Sequence, residues 1–358
     1  MLKKLAISFI FILIITATFL AGYLFSRKSD LPDQQALINN SLVERFNQTE
    51  EKYVEPTGLF ELTSGEASFP TIRANGEIWY YTPKNGEIRS ASFKNLLAGS
   101  ALVAKIQPNA INISWGSDKT LLANYSTGAI YYDLGSNFSK KYEINIKNPV
   151  LSKTGNKTAY IYFNQESGEG NISIANPKLE SFKNVLPTRF TNWQIKWLGE
   201  NKLALTKPPT LESSQASLFT LDTENGKTLQ NIINLKNNLE VAWSPDEQKI
   251  VYSYVDSSTG QNGLYLMNLG AKEEMPLNLN YTASKCVWSF DNKTVYCAGV
   301  DSFVSLDATA ANAGTQTIAN SQSIDASSAT NLFLTSTGDY IIFKNIKDGK
   351  LYGLHLAQ

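Results

Sequence analysis

The chain has 358 residues with 32 basic and 32 acidic side chains, so no global field draws it to nucleic acid or to an anionic surface. Aromatic content of 11% (17 Tyr, 17 Phe, 6 Trp) favours strands, and 42% hydrophobic residues exclude a globally disordered chain. A single histidine, His355, lies at the end of the sequence beside two cysteines in all, which leaves little material for a Ser-His-Asp or Cys-His site or for His/Cys zinc ligation.

Residues 1–4 carry Lys3 and Lys4, and residues 5–25 are an uncharged run, LAISFIFILIITATFLAGYLF. Twenty-one helical residues span the ~30 Å hydrocarbon core of a bilayer. No small-x-small cleavage pair follows, because Phe19 stands two places before Ala21, and Tyr23 occupies the place a lipidated cysteine would need. The expectation is an uncleaved transmembrane anchor over 5–26. Cationic flanks nearly balance, with Arg27 and Lys28 after the run. The short leading tip places the N-terminus in the cytoplasm and the rest of the chain outside, in the periplasm or at the cell surface.

Residues 27–56 form a stalk or linker. Ser29 and Pro32 suit a helix start, and Leu37, Ile38, Leu42, Val43 and Phe46 fall at helical spacing, while the Gln, Asn and Glu content equally suits a polar spacer.

From residue 57 helix signals stop and strand signals recur. Residues 239–269, LEVAWSPDEQKIVYSYVDSSTGQNGLYLMNL, hold a strand ending at Trp243, a Ser-Pro-Asp turn, a second strand over 249–254, a polar loop and a third strand over 263–269. A weaker fourth strand lies near 274–279. Units in the same order begin near Phe69, Ile111, Pro149, Trp193, Lys285 and Asn331. Trp197, Trp243 and Trp288 are 46 and 45 residues apart, with Leu334 a further 46 on. Such a period with about four strands per unit signals propeller blades. WSPDEQKIVYS followed by GLYLMNL resembles the repeat of TolB-like (WD40-like) β-propellers, most closely over 239–269 and more weakly over 58–358; Glu247-Gln248 stands where that repeat has glycine. The resemblance implies an all-β, seven-bladed propeller of four-stranded antiparallel blades. It implies no activity, since such repeats serve scaffolds, sensors and enzyme accessory domains.

Asn, Asp and Gly accept the backbone angles of tight turns. They recur after each unit's first strand, at Asn75-Gly76, Asp118, Asn156, Asp246, Asp291-Asn292 and Gly338-Asp339. Asp118, Asp246 and Asp291 therefore read as turn formers rather than paired catalytic carboxylates. The last unit runs out of chain at its third strand, and residues 58–64 are left over ahead of the first unit. They are expected to close the last blade as its outer strand.

Cys286 and Cys297 are symmetric about Asp291-Asn292, which sets them opposite each other across a hairpin, either as a disulfide or as two buried thiols. Trp79-Tyr80-Tyr81, Tyr131-Tyr132 and Tyr160-Ile161-Tyr162 read mainly as packing between blades. Arg73, Lys153 and Lys196 are candidate walls of an axial channel. Neither a catalytic set, a cofactor site nor a metal site is expected, and no nucleic acid partner. The reading is a non-enzymatic, membrane-anchored protein-binding or scaffold module of the cell envelope, with a partner at a rim or channel mouth. The alternative is an extracytoplasmic glycosidase or lyase acting at the channel mouth.

Overall fold

The computed structural model describes residues 56–93, 99–117, 119–210, 213–224, 229–309, 315–320 and 325–356. The tip, anchor and stalk expected before residue 56, and Asp118, lie outside them. The chain divides at 54/55, and the second body is the one described here. Among the described residues no helix is long and apolar enough to cross a membrane.

Strand β1 (Leu59–Glu61) comes first, and seven four-stranded units are then built from it and the strands that follow. Unit one is β2 (Ser68–Ile72), β3 (Ile78–Thr82), β4 (Glu87–Ala91) and β5 (Ala101–Lys105). Unit two is β6 (Asn112–Trp115), β7 (Thr120–Tyr125), β8 (Gly128–Asp133) and β9 (Phe138–Lys141). Unit three is β10 (Ile146–Leu151), β11 (Thr158–Asn164), β12 (Glu169–Ala175) and β13 (Phe182–Thr188). Units four and five share a strand: β14 (Gln194–Leu198), β15 (Lys202–Lys207) and β16 (Gln215–Asp222) lead into β17 (Leu229–Trp243), and β18 (Lys249–Val255), β19 (Asn262–Asn268) and β20 (Glu273–Pro276) follow. Unit six is β21 (Cys286–Trp288), β22 (Thr294–Ala298), β23 (Ser302–Asp307) and β24 (Thr315–Asn320). Unit seven is β25 (Ala329–Leu334), β26 (Tyr340–Asn345) and β27 (Leu351–His355), with β1 as its outer strand.

Every pairing is antiparallel, and consecutive strands are neighbours within each unit. The sequence reading began unit five near residue 239, where pairing does pass to β18, but it did not show that the strand is continuous with the outer strand of unit four. The first part of β17 pairs with β16, down to Gln215 opposite Asn237, and Asn237 then stands opposite Val255 as pairing passes to β18. Positive φ at Leu235 (44°) and Asn238 (51°) lets the backbone change direction without leaving the ladder.

The core consists of seven apolar clusters, one at each junction between adjacent units. Second strands explain why. Leu121 and Ala123 of β7 pack toward unit one while Leu122 packs toward unit three; Ile341 and Phe343 of β26 face unit six while Ile342 faces unit one. Successive side chains point to opposite faces of a strand, so a strand buried on both faces reads as an unbroken apolar run. The junction of unit seven with unit one, where Ile342 and Leu351 meet Ile78 and Tyr80, closes the ring. A closed ring of four-stranded antiparallel blades is a β-propeller.

Closure uses β1, with Leu59 opposite Leu354 and Glu61 opposite Tyr352. The Phe60 ring lies over Gly353 so closely that a Cβ there would stand 2.3 Å from its Cζ. Glu61 pairs with Lys350 at 2.8 Å.

Candidate functional site

Because strands alternate in direction, the ring has two distinct faces. The turn face carries the connections between first and second strands and between third and fourth strands. The chain also enters there, where Gly58 O accepts the His355 N–H at 2.8 Å. The loop face carries the connections between second and third strands and those between units.

The turn face is tied together from unit to unit. Arg73 Nη1 of unit one donates to Gly116 O of unit two at 3.1 Å. Gly116 packs so tightly on Gly155 of unit three that a Cβ would stand 2.7 Å from Gly155 Cα. Thr154 Oγ1 donates to Glu200 Oε2 at 3.0 Å, Lys202 lies 3.9 Å from Glu247, and the Asp246 N–H donates to Asn292 Oδ1 at 3.0 Å. Within the turns, Ser152, Ser244, Ser289 and Thr335 each accept the backbone N–H five residues on. Asp246 and Asp291 accept from the Ser244 and Ser289 hydroxyls at 2.6 and 2.5 Å, so these carboxylates are occupied with turn construction. Their placement as turn formers agrees with the sequence reading, with a shift in detail. Positive φ falls on Gly155 (77°) and Glu247 (59°) rather than on Asn156 and Asp246, while Gly76, Asn292 and Gly338 take it where a turn former was read.

Tryptophans bolt adjacent first strands. The Nε1–H groups of Trp115, Trp197 and Trp288 donate to Phe69 O, Val150 O and Ala242 O at 2.7, 3.1 and 3.0 Å. Arg73 is buried, its guanidinium 4.4 and 4.8 Å from the ring centroids of Trp79 and Trp115, so it is a packing element and not a channel wall. Lys153 is an exposed turn residue. Lys196, on the innermost strand of unit four, reaches solvent, yet desolvation lowers its pKa below the ordinary lysine value. Of the aromatic runs, Tyr80, Tyr81, Tyr131 and Tyr160 are buried at unit junctions, and Tyr162 is exposed.

Cys286 stands directly opposite Cys297, and their Sγ atoms are bonded at 2.09 Å. Both residues are buried in the junction between units five and six.

The loop face is open. A cavity of ≈ 640 Å³ lies where units two, three and four meet, and a second of ≈ 430 Å³ continues toward unit six; Gln194 and Pro208 line both. Bulges at the head of β10 and within β17, where its unit-five part begins, present Asn148 (φ 48°) and Asn238 (φ 51°) to these cavities. Asparagine tolerates this left-handed conformation better than other non-glycine residues. Asn124 Nδ2 and Asn148 Nδ2 donate across unit boundaries to Pro149 O and Trp193 O at 3.1 and 3.2 Å. Exposed aliphatic side chains stand on the same face: Ile111, Ile144, Val300 and Ile346. The sequence reading did not bring the cavity residues together as one site. The signal was an amide near the head of the first strand, in NIS, KNPV, NWQIK and NNLEV, which repeats only after the units are aligned.

Among the described residues, every tyrosine whose pKa departs from its ordinary value is raised, mostly by burial. Tyr265 and Tyr352 reach about 12 chiefly through hydrogen bonds with Tyr254 and Asp348. Every shifted carboxylate lies low, because hydrogen-bond donors outweigh desolvation; Asp325, held by Lys347 and Ser327, falls to about 2. A general acid needs a raised carboxyl and a tyrosine base a lowered phenol. Among the described residues, Lys196 alone is moved toward neutrality in the direction a base requires. No group of three or more His, Cys, Asp or Glu able to hold a metal occurs among them.

No family model matches the chain, and no curated protein matches it. Solved structures do. Oligogalacturonate lyase in complex with manganese aligns with TM-score 0.56 at 11% identity, over 84% of this chain and 98% of that one. Hydrazine synthase of Kuenenia stuttgartiensis aligns with TM-score 0.55 at 11% identity, over 86% and 99%. The extracellular domain assigned to a hybrid two-component system of B. thetaiotaomicron aligns with TM-score 0.53 at 14% identity, over 84% of this chain and 42% of that one. Likeness at these identities shows the β-propeller fold alone, and the three names span unrelated activities.

Proposed function

We propose that this chain is a non-enzymatic, membrane-anchored extracytoplasmic propeller of the TolB-like kind, which binds a protein partner of the cell envelope through its loop face. The observation that carries the reading is the contrast between faces. The turn face holds a cavity of ≈ 700 Å³ at units four and five lined by the charged Glu200, Lys202, Asp222 and Glu247, whereas the loop face holds two contiguous cavities with one charged lining side chain each and with Ile111 and Ile144 exposed on their lining. Rigid scaffolds carry function on such open loop faces. The uncharged run 5–25 supports the anchor, and a disulfide supports an oxidising compartment. A propeller that serves as an extracellular domain of a two-component system gives a precedent for the fold outside the cell.

The test is photo-crosslinking in native membranes from two positions of the full chain, Ile144 on the loop face and Lys153 on the turn face. A partner crosslinked from Ile144 and not from Lys153 is expected; the reverse pattern overturns the reading. Lys196 is the observation that favours the alternative, an extracytoplasmic glycan-cleaving enzyme. Turnover of an envelope glycan by the purified chain, abolished by Lys196→Met, would put that alternative in its place.

A further inference from the structure

Resting on the binding reading, we infer that the loop-face cleft receives an extended, uncharged polypeptide segment of the partner, laid across units two to five. Continuity comes first. Because Gln194 and Pro208 line both cavities, one cleft runs from Ile111, ahead of unit two, to Thr282, ahead of unit six. A cleft that crosses several units suits a linear ligand better than a compact one.

Charge comes second. Among the described lining residues, Lys147 is the one charged side chain of the first cavity and Glu240 of the second. The Glu240 carboxylate already accepts the Ser284 N–H at 3.1 Å. A segment with several charges would lose hydration there with Lys147 as its one ready counter-charge, which is costly. An uncharged one loses far less.

The amides supply the complementary chemistry. Asn112, Asn192, Gln194 and Asn238 stand along the cleft, and each carboxamide both donates and accepts. A peptide backbone presents the same alternation of N–H and C=O.

A neutral glycan is the competing ligand, and the apolar lining decides against it. Sugar rings pack their C–H faces on aromatic planes. Tyr125 is the one aromatic residue among the described lining, it is 6% exposed, and its hydroxyl donates to Gln107 O at 3.0 Å. The exposed apolar groups are instead branched aliphatics, Ile111 at 65% and Ile144 at 67%, the kind of surface that takes peptide side chains.

The experiment selects a random peptide library displayed on phage against the full chain in nanodiscs, and in parallel measures binding of chitohexaose and cellohexaose. Affinities of selected peptides are compared in Ile144→Asp, in Gln194→Lys and in the turn-face control Lys153→Ala. Both cleft positions are exposed, so the variants should fold, and their melting curves check it. Uncharged peptides are expected, with affinity about tenfold weaker in either cleft variant, equal to roughly 1.4 kcal/mol, and unchanged in the control. No enrichment, peptides indifferent to both cleft variants, or oligosaccharide binding lost in those variants would each overturn the inference. Crosslinking of a partner from Ile144 that persists while peptides fail would leave the face assignment standing and remove the segment; loss of both removes the binding reading itself.

Discussion

At the scale of single residues, the turn face shows what local chemistry can specify. A hydroxyl at the end of the first strand and a carboxylate two places on, as in Ser244 with Asp246 and Ser289 with Asp291, close the turn from within five residues. Such turns are therefore legible one unit at a time. Which residue takes the left-handed angle is set by the last step of the turn, and the reading was one place off at Asn156 and Asp246. Glu247 takes the left-handed angle there, at φ 59°. Its distant contact with Lys202, 3.9 Å on a partly exposed surface, is worth little. Glu247→Gly should stabilise the protein by about 0.5–1 kcal/mol, since glycine alone adopts this angle without a Cβ penalty. An upward shift of the thermal midpoint is the expected result. A fall would show that the carboxylate holds units four and five together more strongly than its geometry indicates.

At the scale of elements, period-two burial made the second strands the most visible parts of the chain. They are apolar on both faces because each blade is packed on both sides. Outer strands are another matter. β9 and β20 are short and largely exposed, and β17 hides the outer strand of one unit and the inner strand of the next in one continuous ladder. No composition shift marks that junction. The hairpin of β21 and β22 carries the disulfide, which closes a loop with a sequence separation of 11. Loop-closure entropy for so short a loop corresponds to about 3 kcal/mol. The double substitution Cys286→Ala with Cys297→Ala should lower stability by about that amount in a denaturant titration, and a reducing agent should lower the native protein to a similar midpoint. A midpoint indifferent to both treatments would mean that burial of the two side chains, not the bond, secures the hairpin.

At the scale of the whole molecule, stability depends on closing the ring, and closure depends on a pairing between residues almost 300 positions apart. The strand count pointed to it, because unit seven ends one strand short and residues 58–64 had no unit of their own. The packing that permits it was not visible. Phe60 lies on the bare Cα of Gly353 and meets Phe93 and Tyr340 edge-on at 5.9 and 5.8 Å. Gly353→Ala should displace Phe60 and cost about 1–3 kcal/mol as an overpacking change. Hydrogen exchange should rise first in β1 and β27, which localises the loss to the seam; a uniform rise would show that the seam does not open ahead of the ring.

Local patterns in the sequence were enough to determine the repeat, the turn positions, the doubly buried second strands and the facing cysteines. Each of these is encoded within a few residues by backbone preference or by side-chain alternation. Tertiary structure decided everything that depends on two units meeting. It drew Arg73 between Trp79 and Trp115, tied the turns of one face together, and set Asn112, Asn148, Gln194 and Asn238 along one cleft. Those amides lie 36 to 46 residues apart in the chain, and each alone is an ordinary polar residue near the head of a strand. Ring closure is what brings them side by side, and that comes from packing over long sequence separations, which no local pattern records.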